Sequence, residues 1–201
     1  MEVTHIYQDV RELVIDHDLH RIFGTLFFAF MATLMFSTGY GYIYPTNVIS
    51  DTVITSFSET SHPDMFTVDM WLYLTLHNFW IGVGIMFGFF VTVKICRYLA
   101  ILPGLFLLLQ AVGTGCVLGT YAVQHGIVFV IVCIVCHGVI EIPTIILSGA
   151  FGYYLAGKSV GIKKSIRLGI YCMGILFICF LVSGFIESFI TPALALIVSG
   201  F

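Results

Sequence analysis

The sequence predicts an all-α fold, a polytopic transmembrane helical bundle of about five spans with an N-terminal amphipathic interfacial helix and a proline-broken or partly re-entrant fourth span. Three observations predict it. Hydrophobic side chains make up 59% of the 201 residues and charged ones 9%, at a mean hydropathy of +1.05, which leaves too little polar surface to wrap a soluble globule of this length. Apolar stretches recur, each reaching or exceeding the roughly 20 residues that cross a 30 Å hydrocarbon core. All eight lysines and arginines gather in three of the connecting segments, which alternate with segments that hold none.

The chain opens with Glu2, Asp9, Glu12, Asp16 and Asp18, the wrong charge for the basic start of a cleaved signal peptide. Ile6, Val10, Leu13, Ile15, Leu19 and Ile22 recur at near-helical spacing, so residues 1–20 are expected as an interfacial helix lying on the bilayer. The first span follows near 22–43. The segment 44–70 carries Asp51, Glu59, Asp64 and Asp69 with no Lys or Arg, an acidic loop. Spans two and three lie near 71–93 and 99–121, and the last near 168–190.

The fourth stretch is long. From Ile127 to Gly157 the chain is apolar, roughly 46 Å as a straight helix at 1.5 Å per residue, more than one crossing needs and too little for two. Pro143 interrupts it by removing a backbone donor and clashing one turn back, and irregular backbone is tolerated at that depth where protein buries it. Charge decides between one crossing and two. Arg11 and Arg21 precede span one, Lys94 and Arg97 separate spans two and three, and Lys158, Lys163, Lys164 and Arg167 precede the last. One broken crossing puts every cation in the cytoplasm, with the N-terminus inside and the C-terminus outside, in a cell membrane; two crossings would strand the largest basic group outside. The whole chain, 1–201, reads as one transmembrane domain whose first partner is the lipid bilayer.

Composition excludes several functions. Eight cations in a chain of net charge −3 do not neutralise phosphates, so no nucleic acid is expected. Cys96, Cys116, Cys133, Cys136, Cys172 and Cys179 fall in or beside apolar runs and read as small hydrophobes, not a disulfide framework. Cys133-Ile134-Val135-Cys136-His137 spells the c-type haem attachment string, but inside an apolar span, and no second Cys/His pair stands at zinc-finger spacing. Neither a metal nor a cofactor is expected. The chain has no nucleophile elbow, phosphate loop or metalloprotease string, and its one nucleophile–base spacing is Ser183 four residues from Glu187, so it does not read as an enzyme.

Ionisable groups inside a membrane cost about 2.5–3.5 kcal/mol near a helix centre and default to functional hypotheses. His137 and Glu141 stand four apart, and Thr144 and Ser148 continue the same stripe. Carbonyls freed by Pro143 beside that carboxylate resemble a cation or proton site of the kind broken helices form in transporters. The last span carries Ser183, Glu187 and Thr191, followed by Pro192. With span four straight and span five ending near Pro192, Glu141 lies roughly 21 Å from the outer face and Glu187 within roughly 8 Å, so their contact requires an oblique first half of span four. His77 and Asn78 either join this cluster or cap the outer turn of span two beside Trp71. Gly84 and Gly88, Gly115 and Gly119, and Gly149 and Gly152 are small-residue pairs that let helices approach closely, within the chain or in a homo-oligomer.

The segment His137-Gly138-Val139-Ile140-Glu141-Ile142-Pro143, continued by Ser148-Gly149-Ala150-Phe151-Gly152, resembles the central signature of the stage II sporulation protein M family. Ile186-Glu187-Ser188-Phe189-Ile190-Thr191-Pro192 is similar to that family's second acidic signature, and Asn78 to Gly88 fits its earlier helix; the resemblance covers about residues 72–192. The resemblance implies a multi-pass membrane protein, and its namesake is similar to an anchor that gathers cell-wall hydrolases during engulfment. Sporulation itself is not carried over. Two readings stand open. One is a non-enzymatic scaffold or anchor for envelope-associated protein partners, in which the buried acids are polar glue between helices. The other is a small cation or proton channel or transporter using His137, Glu141 and Glu187.

Overall fold

The computed structural model describes residues 15–46, 49, 66–157 and 162–199, and every long element among them is helical. Five helices are long and apolar enough to cross a membrane. Most of the expected interfacial helix, residues 1–14, and most of the acidic loop, including Asp51, Glu59 and Asp64, lie outside the described residues. Residues 17–20 are continuous with the first long helix, α1 (His17–Ile43), which Asp16 caps by accepting the Asp18 N–H at 2.9 Å. Helix α2 (Val68–Ile95) opens on Thr67, whose hydroxyl accepts the Met70 N–H at 3.2 Å, and takes Asp69 into its first turn. A single 3₁₀ turn, Arg97–Ala100, leads to α3 (Ile101–His125).

Between α3 and α4 (Ile127–Gly157) stands one residue, Gly126, with φ +86°, a conformation that glycine reaches without steric cost. That one residue turns the chain between two membrane-length helices. The expected break at Pro143 does not part α4, which runs as one helix through the proline. A missing donor removes one rung of the ladder while the rest of a 31-residue apolar helix, mostly buried over its second half, holds it together. The last long helix, α5 (Ile162–Phe185), passes into a π-helical turn, Ile186–Ile190, and then α6 (Thr191–Ser199). This departs from the sequence expectation, which ended the last span near Pro192.

Contacts across the bundle fix the helix directions. Ser37 of α1 donates to the Ala111 carbonyl of α3 (3.1 Å) and Thr120 of α3 to that of Pro45 (3.2 Å), so α1 and α3 run parallel. Asn78 lies by Glu141 and Met86 by Gly152, so α2 and α4 run parallel. Trp71 bonds Leu181 while Gly82 meets Phe180, which sets α5 antiparallel to α2. Tyr154 of α4 bonds Asp16 at the start of α1, so these two are antiparallel. The spans therefore alternate, and Arg21, Lys94, Lys164 and Arg167 share one end of the bundle.

Helix α4 is the axis. It packs against α1, α2, α3 and α5, and its span is 56% buried where the other four are 17–28% buried. Its Ile146, Ala150, Phe151 and Tyr154 meet Phe30 and Leu34 of α1, Met86 and Phe89 of α2, Leu107 and Ala111 of α3, and Cys172, Leu176 and Phe180 of α5. Phe28, Phe36, Trp80 and Leu109 point outward, as apolar residues do where the surrounding solvent is lipid.

Glycines set the two tightest seams. In α3, Gly115 lies under Ser37 and the Leu34 carbonyl, and Gly119 under Thr38 and Tyr42; in return Gly41 of α1 lies on the Cys116 carbonyl. In α4, Gly152 abuts the Met86 carbonyl and Gly149 the Phe89 ring. A side chain at Gly41, Gly115, Gly119 or Gly152 has no room, the condition that small-residue stripes in membranes satisfy. Gly84 is different: nothing lies within 4 Å of where its Cβ would be, and Gly88 makes only ordinary contact with Pro103 at 3.5 Å.

Candidate functional site

Midway along α4, the Glu141 carboxylate accepts a hydrogen bond from Asn78 Nδ2 of α2 at 3.2 Å. Asn78 is buried, so its amide turns inward onto the acid and does not cap the outer turn of α2. His77, one residue on, is exposed and stacks on Tyr73 at 5.8 Å, away from the cluster. One residue of rotation, 100° on a helix, separates the two.

Thr75 stands one turn before Asn78 on the same face and is 1% exposed. Its hydroxyl points at Gly184 of α5, where a Cβ would lie 2.6 Å from Oγ1. Gly184 is three residues before Glu187; with α5 antiparallel to α2, Thr75 lies at the level of Gly184, Asn78 on the side toward Phe180 and Glu187 on the side away from it. Glu187 sits in the π-helical turn, where the Thr191 N–H bonds the carbonyl five residues back, at Ile186. Glu141 and Glu187 belong to elements that pack against each other, α4 and the turn at the end of α5.

The structure thus packs the turn that carries Glu187 against α4, the helix of Glu141, and sets Glu187 farther from the end of its helix than a span ending near Pro192 would. The physical reason lies at Pro192. In an α-helix the Ser188 carbonyl would take the N–H of residue 192, which proline lacks. Instead the backbone N–H of Phe66, at the entry to α2 with φ +63°, donates to Ser188 at 3.3 Å. With its orphan carbonyl satisfied from outside, the helix continues to Ser199, and Glu187 lies twelve residues before that end. Trp71 fastens the same region, its Nε1–H donating to the Leu181 carbonyl at 2.9 Å.

Three buried oxygens have no hydrogen-bond partner among the described residues: Thr75 Oγ1, Glu187 Oε2 and Thr191 Oγ1. Such groups are rare and costly in a low-dielectric interior. They follow one face of the last helix, Thr75 by Gly184, then Glu187, then Thr191. The other hydroxyls predicted for the site are satisfied by their own helices: Thr144 donates to Ile140 at 2.6 Å, Ser148 to Thr144 at 2.9 Å and Ser183 to Phe180 at 3.4 Å. His137 lies one turn before Glu141, its side chain outside the described residues. Toward the cationic end the cluster stops at Phe180, 0% exposed, whose ring would be 2.7 Å from a Cβ on Gly82.

The described residues gather no three His, Cys, Asp or Glu side chains as a metal cage, and no Lys or Arg accompanies the two acids on the faces that meet here. Among the described residues the site therefore holds acidic and neutral oxygens and no cationic side chain. Sequence reasoning missed Thr75, Gly184, Gly82 and the Phe66 N–H. The three-residue spacing from Thr75 to Asn78 is the one signal that pointed to any of them.

No curated protein and no solved structure matches the chain. A family model does match, that of Stage II sporulation protein M, over residues 22–192. The match takes in the first span and the 44–70 segment, which the narrower resemblance from residue 72 left out. With both acidic signatures and Asn78 inside it and all five spans wholly or mostly inside it, the chain belongs to the stage II sporulation protein M family and is a multi-pass membrane protein.

Proposed function

We propose that this protein, without acting as an enzyme, carries a small cation or protons across the membrane, with Glu141 and Glu187 as the groups that bind them in transit. The observation that carries this reading is Glu187 Oε2, a buried carboxylate oxygen without a hydrogen-bond partner among the described residues, on a π-helical turn that packs against the helix of a second acid. A fold that gains only stability from its polar groups does not leave three oxygens of one face unsatisfied. By the positive-inside rule the end bearing Arg21, Lys94, Lys164 and Arg167 faces the cytoplasm and the C-terminus lies outside.

A second reading, a membrane scaffold or anchor for envelope-associated partners, is favoured by the Asn78–Glu141 hydrogen bond, which ties α2 to α4 as polar glue does. The readings part on Glu141→Gln and Glu187→Gln. Glutamine keeps a hydrogen-bonding head but cannot ionise. Purified protein in liposomes, followed for proton and cation flux against an imposed gradient, is expected to conduct as wild type and to lose flux in both variants while each keeps its helical circular dichroism. Absence of flux in the wild type sinks the transport reading and leaves the scaffold.

A further inference from the structure

We propose that the face where α2 and α3 diverge is an interface between two copies of this chain, joined across a two-fold axis by their Gln110 amides. Polar groups stand on this face where the neighbour would otherwise be lipid. Gln110 lies in α3 nine residues from Ile101, roughly 14 Å along the helix, and is exposed on the outside of the bundle. Thr114, one turn farther on the same face of α3, is exposed as well. Among the described residues neither side chain has a hydrogen-bond partner. Lipid tails offer an amide nothing to bond, and at mid-span the headgroups lie beyond its reach.

The packing of α2 on α3 leaves these groups uncovered. The two helices touch toward the cationic end, where Pro103 lies 3.5 Å from a Cβ on Gly88 and Phe89 lies 3.9 Å from a Cβ on Gly104. Beyond that contact they enclose an apolar cavity of about 310 Å³, lined by Ile81, Gly84, Ile85, Pro103 and Phe106. Nothing lies within 4 Å of a Cβ on Gly84, whereas the glycine pairs of α3 and α4 are taken up by seams inside the chain. Gln110 follows Phe106 by one turn on the cavity-lining face of α3. His77, exposed and one turn before Ile81, and Thr114 each lie eleven residues past the Gly88–Pro103 contact, so they stand at one level on the two helices.

The chemistry of the amide selects a second copy as the occupant. Copies of one membrane protein insert in one orientation, so a two-fold axis between them runs along the bilayer normal and each group meets its counterpart at equal depth. An amide carries a donor and an acceptor in one head, so two Gln110 side chains facing each other satisfy one another with a pair of hydrogen bonds. The open space over Gly84 leaves room for a side chain of the second copy, the close fit that small residues permit between membrane helices. An acyl chain fills the same cavity but leaves the amide unbonded. Neither Glu141 nor Glu187 lines this cavity, so the interface stands whether the chain conducts or anchors.

The test uses the full chain with Cys96, exposed at the cationic end, as its single cysteine, labelled with a donor or an acceptor dye and reconstituted in liposomes at falling protein-to-lipid ratio. Energy transfer that saturates at a dimer is the expected result. Gln110→Leu is expected to raise the protein density at half-dissociation about tenfold, and Gln110→Asn, which keeps an amide, to raise it less. Gly84→Leu fills the cavity and is expected to weaken association, while Phe28→Ala on the outer surface of α1 leaves it unchanged. Each variant is expected to keep the helical circular dichroism and melting temperature of the wild type, which separates lost association from lost folding. A wild type that is monomeric at every density overturns the inference, whether native mass spectrometry then finds phospholipid retained in the cavity or cross-linking finds a different membrane protein on this face. A dimer that survives both Gln110→Leu and Gly84→Leu lies elsewhere on the molecule and overturns it as well.

Discussion

Thr75 and Glu187 make opposite demands on stability and function, and single substitutions separate them. Thr75→Val keeps the shape and deletes a hydroxyl with no hydrogen-bond partner among the described residues, so it is expected to stabilise the protein by about 1 kcal/mol, measured as a rise in the detergent melting curve. A loss of stability would mean that the hydroxyl has a partner in the membrane. Asn78→Leu does the reverse: it removes the interhelical donor to Glu141, at a cost of about 0.6 and at most roughly 1.7 kcal/mol, the range for hydrogen bonds between membrane helices. At this scale the sequence was readable where a residue ionises. Glu141 and Glu187 announce themselves in an apolar run, whereas Thr75 resembles any threonine in a membrane helix until α5 is seen to bring Gly184 against it. Asn78 and His77 were separable only once the rotation of α2 was known.

Helices add constraints that no residue carries alone. Gly152→Val drives a side chain into the Met86 carbonyl between α4 and α2, and a cost of about 1–3 kcal/mol is expected from the overpacking. Gly84→Val meets open space, and its stability is expected to stay within about 0.5 kcal/mol of wild type. The two glycines look alike in sequence because each belongs to a glycine pair, Gly84 with Gly88 four apart and Gly152 with Gly149 three apart; only the partner helix distinguishes them. Helix lengths were less legible. The apolar run over 127–157 reads directly as α4, but a proline in sequence looks like a stop, and at Pro192 it is not one. The Ser188 carbonyl is rescued by a backbone amide more than a hundred residues away, a contact that no local pattern encodes. Pro192→Ala supplies a competing N–H for that carbonyl, so hydrogen exchange at the Phe66 amide is expected to accelerate roughly tenfold. An unchanged rate would show that the Phe66 bond does not depend on the proline.

The molecule as a whole is organised by charge and by the pairing of its spans. Every described cation lies at one end, and Cys96 is exposed there, directly after Lys94 and Ile95. With the remaining cysteines replaced, Cys96 is expected to react with a membrane-impermeant maleimide from the cytoplasmic side alone; labelling from outside inverts the topology. Five alternating spans were legible because hydropathy and cation placement are one-dimensional signals. Their arrangement was not, since parallel pairing of α1 with α3 and of α2 with α4 passes over the nearest neighbour in sequence.

That interleaving sets an order of events during biosynthesis. Helix α1 meets the seam of Ser37 and Gly41 with Gly115 and Gly119 only after α2 has emerged and α3 has followed it. When Glu141 reaches the bilayer on α4, Asn78 is already there to receive it, so the first acid never waits unaccompanied. Glu187 arrives last, into a place assembled by the four helices before it, and the amide of Phe66 has been standing at that doorway since the second helix was made. The order of synthesis therefore puts Asn78, Glu141 and the Phe66 amide in the chain before Glu187 is made, so the second intramembrane acid is the last of these groups to arrive.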